Sequence, residues 1–394
     1  MNQFDAALHD RLAAIREHGL YRQLRRMDSP QSPRIEVNGR ALLNFSSNDY
    51  LGFADEPELK AAAIQAVEKF GAGSGASRLI CGSLAPHHEL EEALATFKGV
   101  DAALTFSTGY AAAVGTISAL VGKADVVVID KLVHASIVDG ARLSGAKLRV
   151  FAHNDLEDLE KILQWASSTH SPQSMVHSQK QILIITESVF SMDGDCAPLR
   201  EIVELKNKYG AWLMVDEAHA TGLYGKHRRG LADELGVSGE IEVQMGTLGK
   251  AIGASGGYIA GSQTLIDYLV NRARSFIFST APVPAAAAAA AAGIRLLQSS
   301  WGEQRCKILW DRVREFRPES NNLPFSSAIV PVIIGNETKA VELAAALLEQ
   351  NIYVPAIRYP TVARNQARLR VTLTAAHGKD DVATFRGILH QLLQ

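Results

Sequence analysis

AWLMVDEAHATG, residues 211–222, decides the fold. An almost unbroken apolar run closes on Asp216 and Glu217, and small residues then lead through His219 to Gly222. A short apolar run without alternation suits a strand covered on both faces, the usual condition in a parallel sheet wrapped by helices. The same form recurs at AALTFS (102–107), DVVVID (125–130), KLRVFA (147–152), QILIITES (181–188), IEVQMGTL (241–248) and GGYIAG (256–261), with helix-patterned segments between them. These seven segments predict an α/β protein built on a large, mostly parallel seven-stranded sheet.

Outward from that sheet, residues 1 to about 28 read as a basic amphipathic helix, and Asn38-Gly39 marks a hairpin between two short apolar runs. Together they form an N-terminal helix and arm over 1–48, leading into a large domain over 49–285. Pro284 followed by eight alanines opens a close-packed helix, with proline in the first turn and the best helix former after it. A helix after Glu303, a strand in FSSAIVPVIIG (325–335), a capped helix in NETKAVELAAALLEQN (336–351), a strand in ARLRVTLTA (367–375) and a final helix from Lys379 follow. This is a smaller α+β C-terminal domain over 286–394.

Composition narrows the function classes. The chain has 394 residues, 47% of them hydrophobic and 21% charged, with a formal net charge of −2, so it carries no electrostatic footprint for nucleic acid or an anionic membrane. No apolar run approaches the roughly 18 residues of a membrane span, and the N-terminus lacks the unbroken apolar stretch of a signal peptide. Cys81, Cys196 and Cys306 are odd in number and widely separated, which argues against disulfides and a zinc site and fits a cytoplasmic location.

Ligands of open α/β sheets gather beyond the carboxyl ends of the strands, so the polar residues that end the apolar runs carry the chemistry. DEAH (216–219) also occurs in nucleic-acid-dependent ATPases, but GTLGKA (246–251) has too few residues between its glycines for a phosphate loop, and Ala251 stands where a magnesium-binding hydroxyl belongs. The alternative joins Asp216 and His219 to Lys250 in TLGKAIGASGG (247–257). A buried aspartate keeps the ring nitrogen of pyridoxal 5'-phosphate (PLP) protonated, which that cofactor needs as an electron sink. His219 can bond the ring's phenolic oxygen. Lys250, flanked by Gly249, Ala251 and Gly253, can form a Schiff base with the aldehyde. Thr247 can reach the phosphate, while Gly253, Gly256 and Gly257 let the backbone turn tightly around it. Gly109 and Tyr110 open a helix, where free N–H groups favour a phosphate; His134 follows one strand and Ser191 another. Each of these alone also reads as a capping or structural residue, whereas together they make the parts of one cofactor site.

The chain resembles the PLP-dependent α-oxoamine synthases nearly end to end, through LNFSSNDYLGF, GSGASRLICGS, HASIVDGARLS, FAHND, FSMDGDCAPL, MVDEAHATG, TLGKAIGASGG, AIRYPTV and ARLRVTLTAAH. The resemblance implies a fold-type-I PLP-dependent transferase acting as a homodimer. It implies Lys250 as the cofactor-bonding lysine, Asp216 as the pyridinium partner, His219 as the phenolate ligand and His134 as the stacking residue. Gly109, Tyr110, Ser191 and Thr247 then hold the ring or phosphate. Arg22 and Thr361 match substrate-contacting positions, and Arg370 matches the ligand of the amino acid carboxylate, for which a planar guanidinium fork is suited. The implied activity is an acyltransferase that condenses L-alanine with pimeloyl-CoA, or its acyl carrier protein (ACP) thioester, in biotin biosynthesis. Glycine C-acetyltransferase, or another synthase with a different amino acid and acyl-CoA, is the alternative within the family. An aminotransferase on the same fold would share Lys250 and Asp216.

Overall fold

The computed structural model describes residues 2–17, 19–168, 180–317 and 327–394. Its strands in chain order are β1 (Arg34–Val37), β2 (Arg40–Asn44), β3 (Ala102–Phe106), β4 (Val126–Asp130), β5 (Lys147–Phe151), β6 (Ile182–Glu187), β7 (Trp212–Asp216), β8 (Val243–Thr247), β9 (Gly257–Gly261), β10 (Ile329–Gly335), β11 (Ile352–Tyr353), β12 (Ala356–Ile357) and β13 (Ala367–Thr372). All seven expected strands enter one sheet, ordered β3-β9-β8-β7-β6-β4-β5. β4 and β6 are buried along their whole length, as their unbroken apolar runs require. β5 forms an edge, and its exposed Lys147 and Arg149 discourage pairing with another chain.

One strand of this sheet runs against the rest. β9 is antiparallel to both β3 and β8. The connection from β8 to β9 covers only residues 248–256, too short for the crossover of a dozen or more residues that a parallel pair needs. The turn carrying Lys250 therefore folds straight back at the carboxyl end of β8.

The N-terminal helix is shorter than expected, Gln3–Glu17 instead of 1 to about 28. Gly19, at φ +66°, ends it: the Gly19 N–H bonds the Arg16 carbonyl and the Leu20 N–H bonds the Ile15 carbonyl. The hairpin forms as read, with Asn38 and Gly39 both in the left-handed region between β1 and β2. β2 also pairs in parallel with β11, which ties the N-terminal arm to residues far along the chain. A third sheet, β10-β13-β12, lies with the helices Glu337–Glu349 and Lys379–Leu393. Residues 325 and 326 of the strand expected over 325–335 fall outside the described residues; β10 covers 329–335.

The alanine-rich segment is the helix Pro284–Gln298, with Pro284 in its first turn. Its small residues permit a close approach to the lysine turn, since a Cβ added at Gly293 would fall 2.4 Å from the Ile252 carbonyl oxygen. Glu217, one residue beyond β7, is buried. Its carboxylate lies 2.5 Å from Lys98 Nζ and accepts the Ala232 N–H at 2.9 Å, with both ionic side chains almost wholly buried. Removing one member of such a pair strands the other charge, so Glu217→Ala is expected to lower the unfolding free energy by about 3–5 kcal/mol. Denaturant unfolding checks this, and a Lys98→Met/Glu217→Leu pair should lose much less.

Candidate active site

Five strand ends meet along the carboxyl edge of the large sheet. β3 ends into Thr108, whose hydroxyl accepts the Ala111 N–H at 3.0 Å and so caps the helix Gly109–Leu120. The backbones crowd there: a Cβ at Gly257 would lie 2.6 Å from Gly109, so only glycine lets β9 start beside that helix terminus. Tyr110 is largely exposed, and its hydroxyl donates to Asp139 at 2.7 Å. β4 leads to His134, an exposed residue that caps the helix Ala135–Ser144 by accepting the Ser136 N–H at Nδ1.

The centre of the site lies over β7 and β8. Lys250 Nζ is 2.8 Å from His219 Nε2, and His219 Nδ1 is 2.5 Å from the Tyr50 hydroxyl. Asp216, at the end of β7, accepts the Ala218 N–H at 2.9 Å and stands opposite Glu187 of β6 in the sheet register. Gly253 closes the lysine turn at φ +75°, with its N–H on the Lys250 carbonyl at 2.9 Å; any side chain there would strike the Phe53 backbone. The Thr247 hydroxyl donates to the Gly256 carbonyl at 3.0 Å and accepts the Gly249 N–H at 3.3 Å, so it braces the same turn.

Electrostatics follow from burial. Desolvation pushes the Lys250 amine down to about 8, although Asp216 and Glu187 favour its charged form. Burial raises the Asp216 carboxyl, with the Lys250 charge pulling the other way. Glu187 is pushed up to about 8 by burial and by the Asp216 charge. His219 is driven well below the ordinary histidine range by burial and then by the Lys250 charge, so its ring is neutral at pH 7. His134 is lowered by desolvation, against the pull of Asp216.

Arg370 arrives from β13. Its Nε hydrogen-bonds the Ser191 carbonyl at 2.5 Å and its Nη1 the Thr372 hydroxyl at 2.9 Å, while the Ser191 N–H bonds Glu187 at 3.2 Å. Arg22 and Thr361, 339 positions apart, meet each other through a 3.3 Å hydrogen bond, and Arg358 holds the Tyr21 carbonyl beside them. Two residues of the central cluster escaped the sequence reading. Glu187 ends an apolar run as Asp216 does, so the same rule could have found it. Tyr50 lies in a non-repetitive loop 169 positions from His219, and no sequence pattern joins the two.

The residues fit PLP. A lysine amine of lowered basicity, a buried aspartate close enough to act on it, a neutral histidine on the amine, and a helix terminus where two backbones nearly touch are the donor set that cofactor needs. Among the described residues there is no group of three or more His, Cys, Asp or Glu placed to hold a metal, and no helix is long and apolar enough to cross a membrane.

Known proteins similar to the chain include PLP-bound enzymes. The family model for aminotransferase class I and II matches residues 40–388. The chain is 45% identical over 380 residues to an 8-amino-7-oxononanoate synthase of Thermoanaerobacter pseudethanolicus, covering 95% of this chain and 93% of that one. It is also 45% identical over 388 residues to the synthase of that name from Citrifermentans bemidjiense, 97% of each being covered. Among solved structures, a serine palmitoyltransferase from S. paucimobilis with bound PLP and myriocin superposes with a TM-score of 0.89 at 30% identity, covering 100% of this chain and 98% of that one.

Proposed function

The chain belongs to the aminotransferase class I and II family, within its 8-amino-7-oxononanoate synthase branch, and from that premise we propose that it condenses L-alanine with a pimeloyl thioester. It is a PLP-dependent acyltransferase of biotin biosynthesis, and the products are 8-amino-7-oxononanoate, carbon dioxide and the free thiol of CoA or ACP. The observation that carries the proposal is the buried contact between Lys250 and His219 beside Asp216.

PLP would be held by Lys250, Asp216, His219, His134, Gly109, Tyr110, Ser191 and Thr247, and supplies a sink for the electron pair left when the amino acid α-carbon loses its proton. The chain's own residues do the rest. Arg370 grips the alanine carboxylate through its guanidinium fork. Lys250 Nζ, freed when alanine docks, takes the α-proton and later returns one to the same carbon; an amine titrating near 8 suits both transfers at neutral pH. Asp216 supplies the fixed negative charge on the ring-nitrogen side, and His219 a neutral N–H on the phenolic side. Arg22 and Thr361 flank the acyl donor.

A homodimer is part of the proposal. The exposed Leu79, Ile80 and Phe278 lie on loops joined by the Ser77–Thr280 bridge, an apolar surface suited to a second copy. The division into an arm over 1–48, a large domain over 49–285 and a small domain over 286–394, and a cytoplasmic location favoured by three free cysteines, belong to it as well.

The test offers the purified protein PLP, then alanine, glycine or serine with acyl-CoAs of graded length, and follows thiol and carbon dioxide release. Alanine with pimeloyl-CoA or pimeloyl-ACP should be best. Release with glycine and acetyl-CoA alone would move the chain to glycine C-acetyltransferase, and pyruvate formation without thiol release would make it an aminotransferase.

A further inference from the structure

The segment FAHND, residues 151–155, supplies none of the residues assigned to cofactor or substrate, yet its histidine stands between two segments that do. His153 Nδ1 lies 3.0 Å and 3.2 Å from the two oxygens of Asp130, and its Nε2 lies 2.7 Å from Asp195 Oδ2. Carboxylates only accept, so a ring that bonds one at each nitrogen donates from both, which the imidazolium alone can do. Asn154 Nδ2 also approaches Nε2, at 3.3 Å, but its two N–H groups are taken by Asp195 Oδ2 and the Cys196 carbonyl, both at 3.2 Å. Partial burial pulls the imidazole down; Asp130 on β4 and Asp195 on the loop after β6 outweigh it and push the group up to about 10.

Each carboxylate belongs to a segment that also carries a residue assigned to the cofactor. Asp130 accepts the Leu132 N–H at 2.7 Å and so shapes the turn that leads to His134. Asp195 closes a tight loop around Ser191: the Phe190 N–H bonds the Asp195 carbonyl and the Gly194 N–H bonds the Phe190 carbonyl, both at 2.9 Å. The His153 ring stands edge-on to Phe190, 4.4 Å between centroids, and so holds the base of that loop a second time. From the other side, β13 grips the loop through Arg370 on the Ser191 carbonyl and Arg368 on Asp193. We infer that His153 is a positioning residue, an imidazolium strut between Asp130 and Asp195 that sets the spacing between the turn bearing His134 and the loop bearing Ser191. The inference rests on the cofactor site proposed above. Without the cation the two carboxylates repel each other, the segments part, and the cofactor meets a site that binding itself has to assemble.

The experiment uses His153→Gln, which carries no charge and can donate to one of the two carboxylates only. Asp130 keeps the Leu132 and Asn154 N–H groups in this variant, so its cofactor-free melting temperature should stay within a few degrees of the wild type's. Its dissociation constant for PLP should rise about tenfold. At saturating PLP the visible circular dichroism of each bound cofactor should fall by about half, because a ring held between displaced residues is less firmly fixed. A merely structural role would lower the melting temperature and leave that signal alone, so an unchanged signal overturns the inference. Asp195→Asn keeps the shape and an acceptor, and should weaken the same signal to a smaller degree even if His153→Gln does not fold; no change there overturns the inference too. Nitrogen NMR of histidine-labelled, cofactor-free wild type at pH 8 reads the strut directly. Both His153 nitrogens should be protonated, where an ordinary histidine is neutral, and a neutral ring overturns the inference whether or not PLP binds. A wild type that shows this imidazolium but takes up no PLP sinks the cofactor reading and leaves the strut standing.

Discussion

Lys250→Ala is expected to reduce turnover by about 10,000-fold or more, because one substitution removes both the covalent attachment and the proton carrier at the α-carbon. The residue has no understudy in the geometry. His219 is neutral and is engaged by Tyr50 and by the lysine itself, and Asp216 is committed to the opposite role of fixed charge. Borohydride trapping of PLP should label the wild type at Lys250 and leave the variant unlabelled; equal labelling of both would end the assignment. The pH dependence gives a second check. An amine with its midpoint near 8 is about 10% neutral at pH 7, about 300 times the fraction of a lysine titrating at 10.5. The rate at which the cofactor-free protein captures PLP should therefore climb to about pH 8 and level off, where a surface lysine would keep gaining to higher pH.

Asp216→Asn separates function from stability. The amide keeps the size of the side chain and an oxygen for the Ala218 N–H but loses the charge, so turnover should fall by about 1,000-fold, the scale seen when one preorganised electrostatic group is removed. The cofactor-free fold should respond in the other direction. Burial raises the Asp216 carboxyl above 3.8 in the folded chain, so between these two values the folded state binds more protons than the unfolded one. Its contribution is complete at low pH and lost as pH rises through the folded value, above which the charged Asp216 is a cost. Asp216→Asn removes that cost. Above the folded midpoint its cofactor-free melting temperature should equal or exceed the wild type's, and it should vary less as the pH is raised from 4. A large drop in melting temperature would show that the carboxylate holds the fold together instead of serving the site.

Much of this was legible because the large sheet is a repetitive object. A strand buried on both faces needs an unbroken apolar run, so β3 to β9 announce themselves one at a time, and the polar residue that stops each run marks the sheet edge where ligands collect. Asp216 stops such a run, and His134, Ser191 and Lys250 follow within four residues of three others. Glu187 obeys the same rule; the site includes it because β6 and β7 pair in register, which sets it opposite Asp216. The helix ending at Glu17 was harder to delimit, because a helix without buried residues has no packed stripe whose end can be read, and the left-handed Gly19 stops it.

Read alone, the chain establishes the α/β body and the order of its strands and nominates the lysine, aspartate and histidine of the candidate site, since burial patterns and turn residues are local properties. That Arg22 reaches Thr361 and that the Tyr50 hydroxyl meets His219 emerges only once the chain is folded. Contacts across 169 or 339 positions depend on how whole elements dock, and a hydrogen bond only a few ångströms long leaves no period in the chain that forms it.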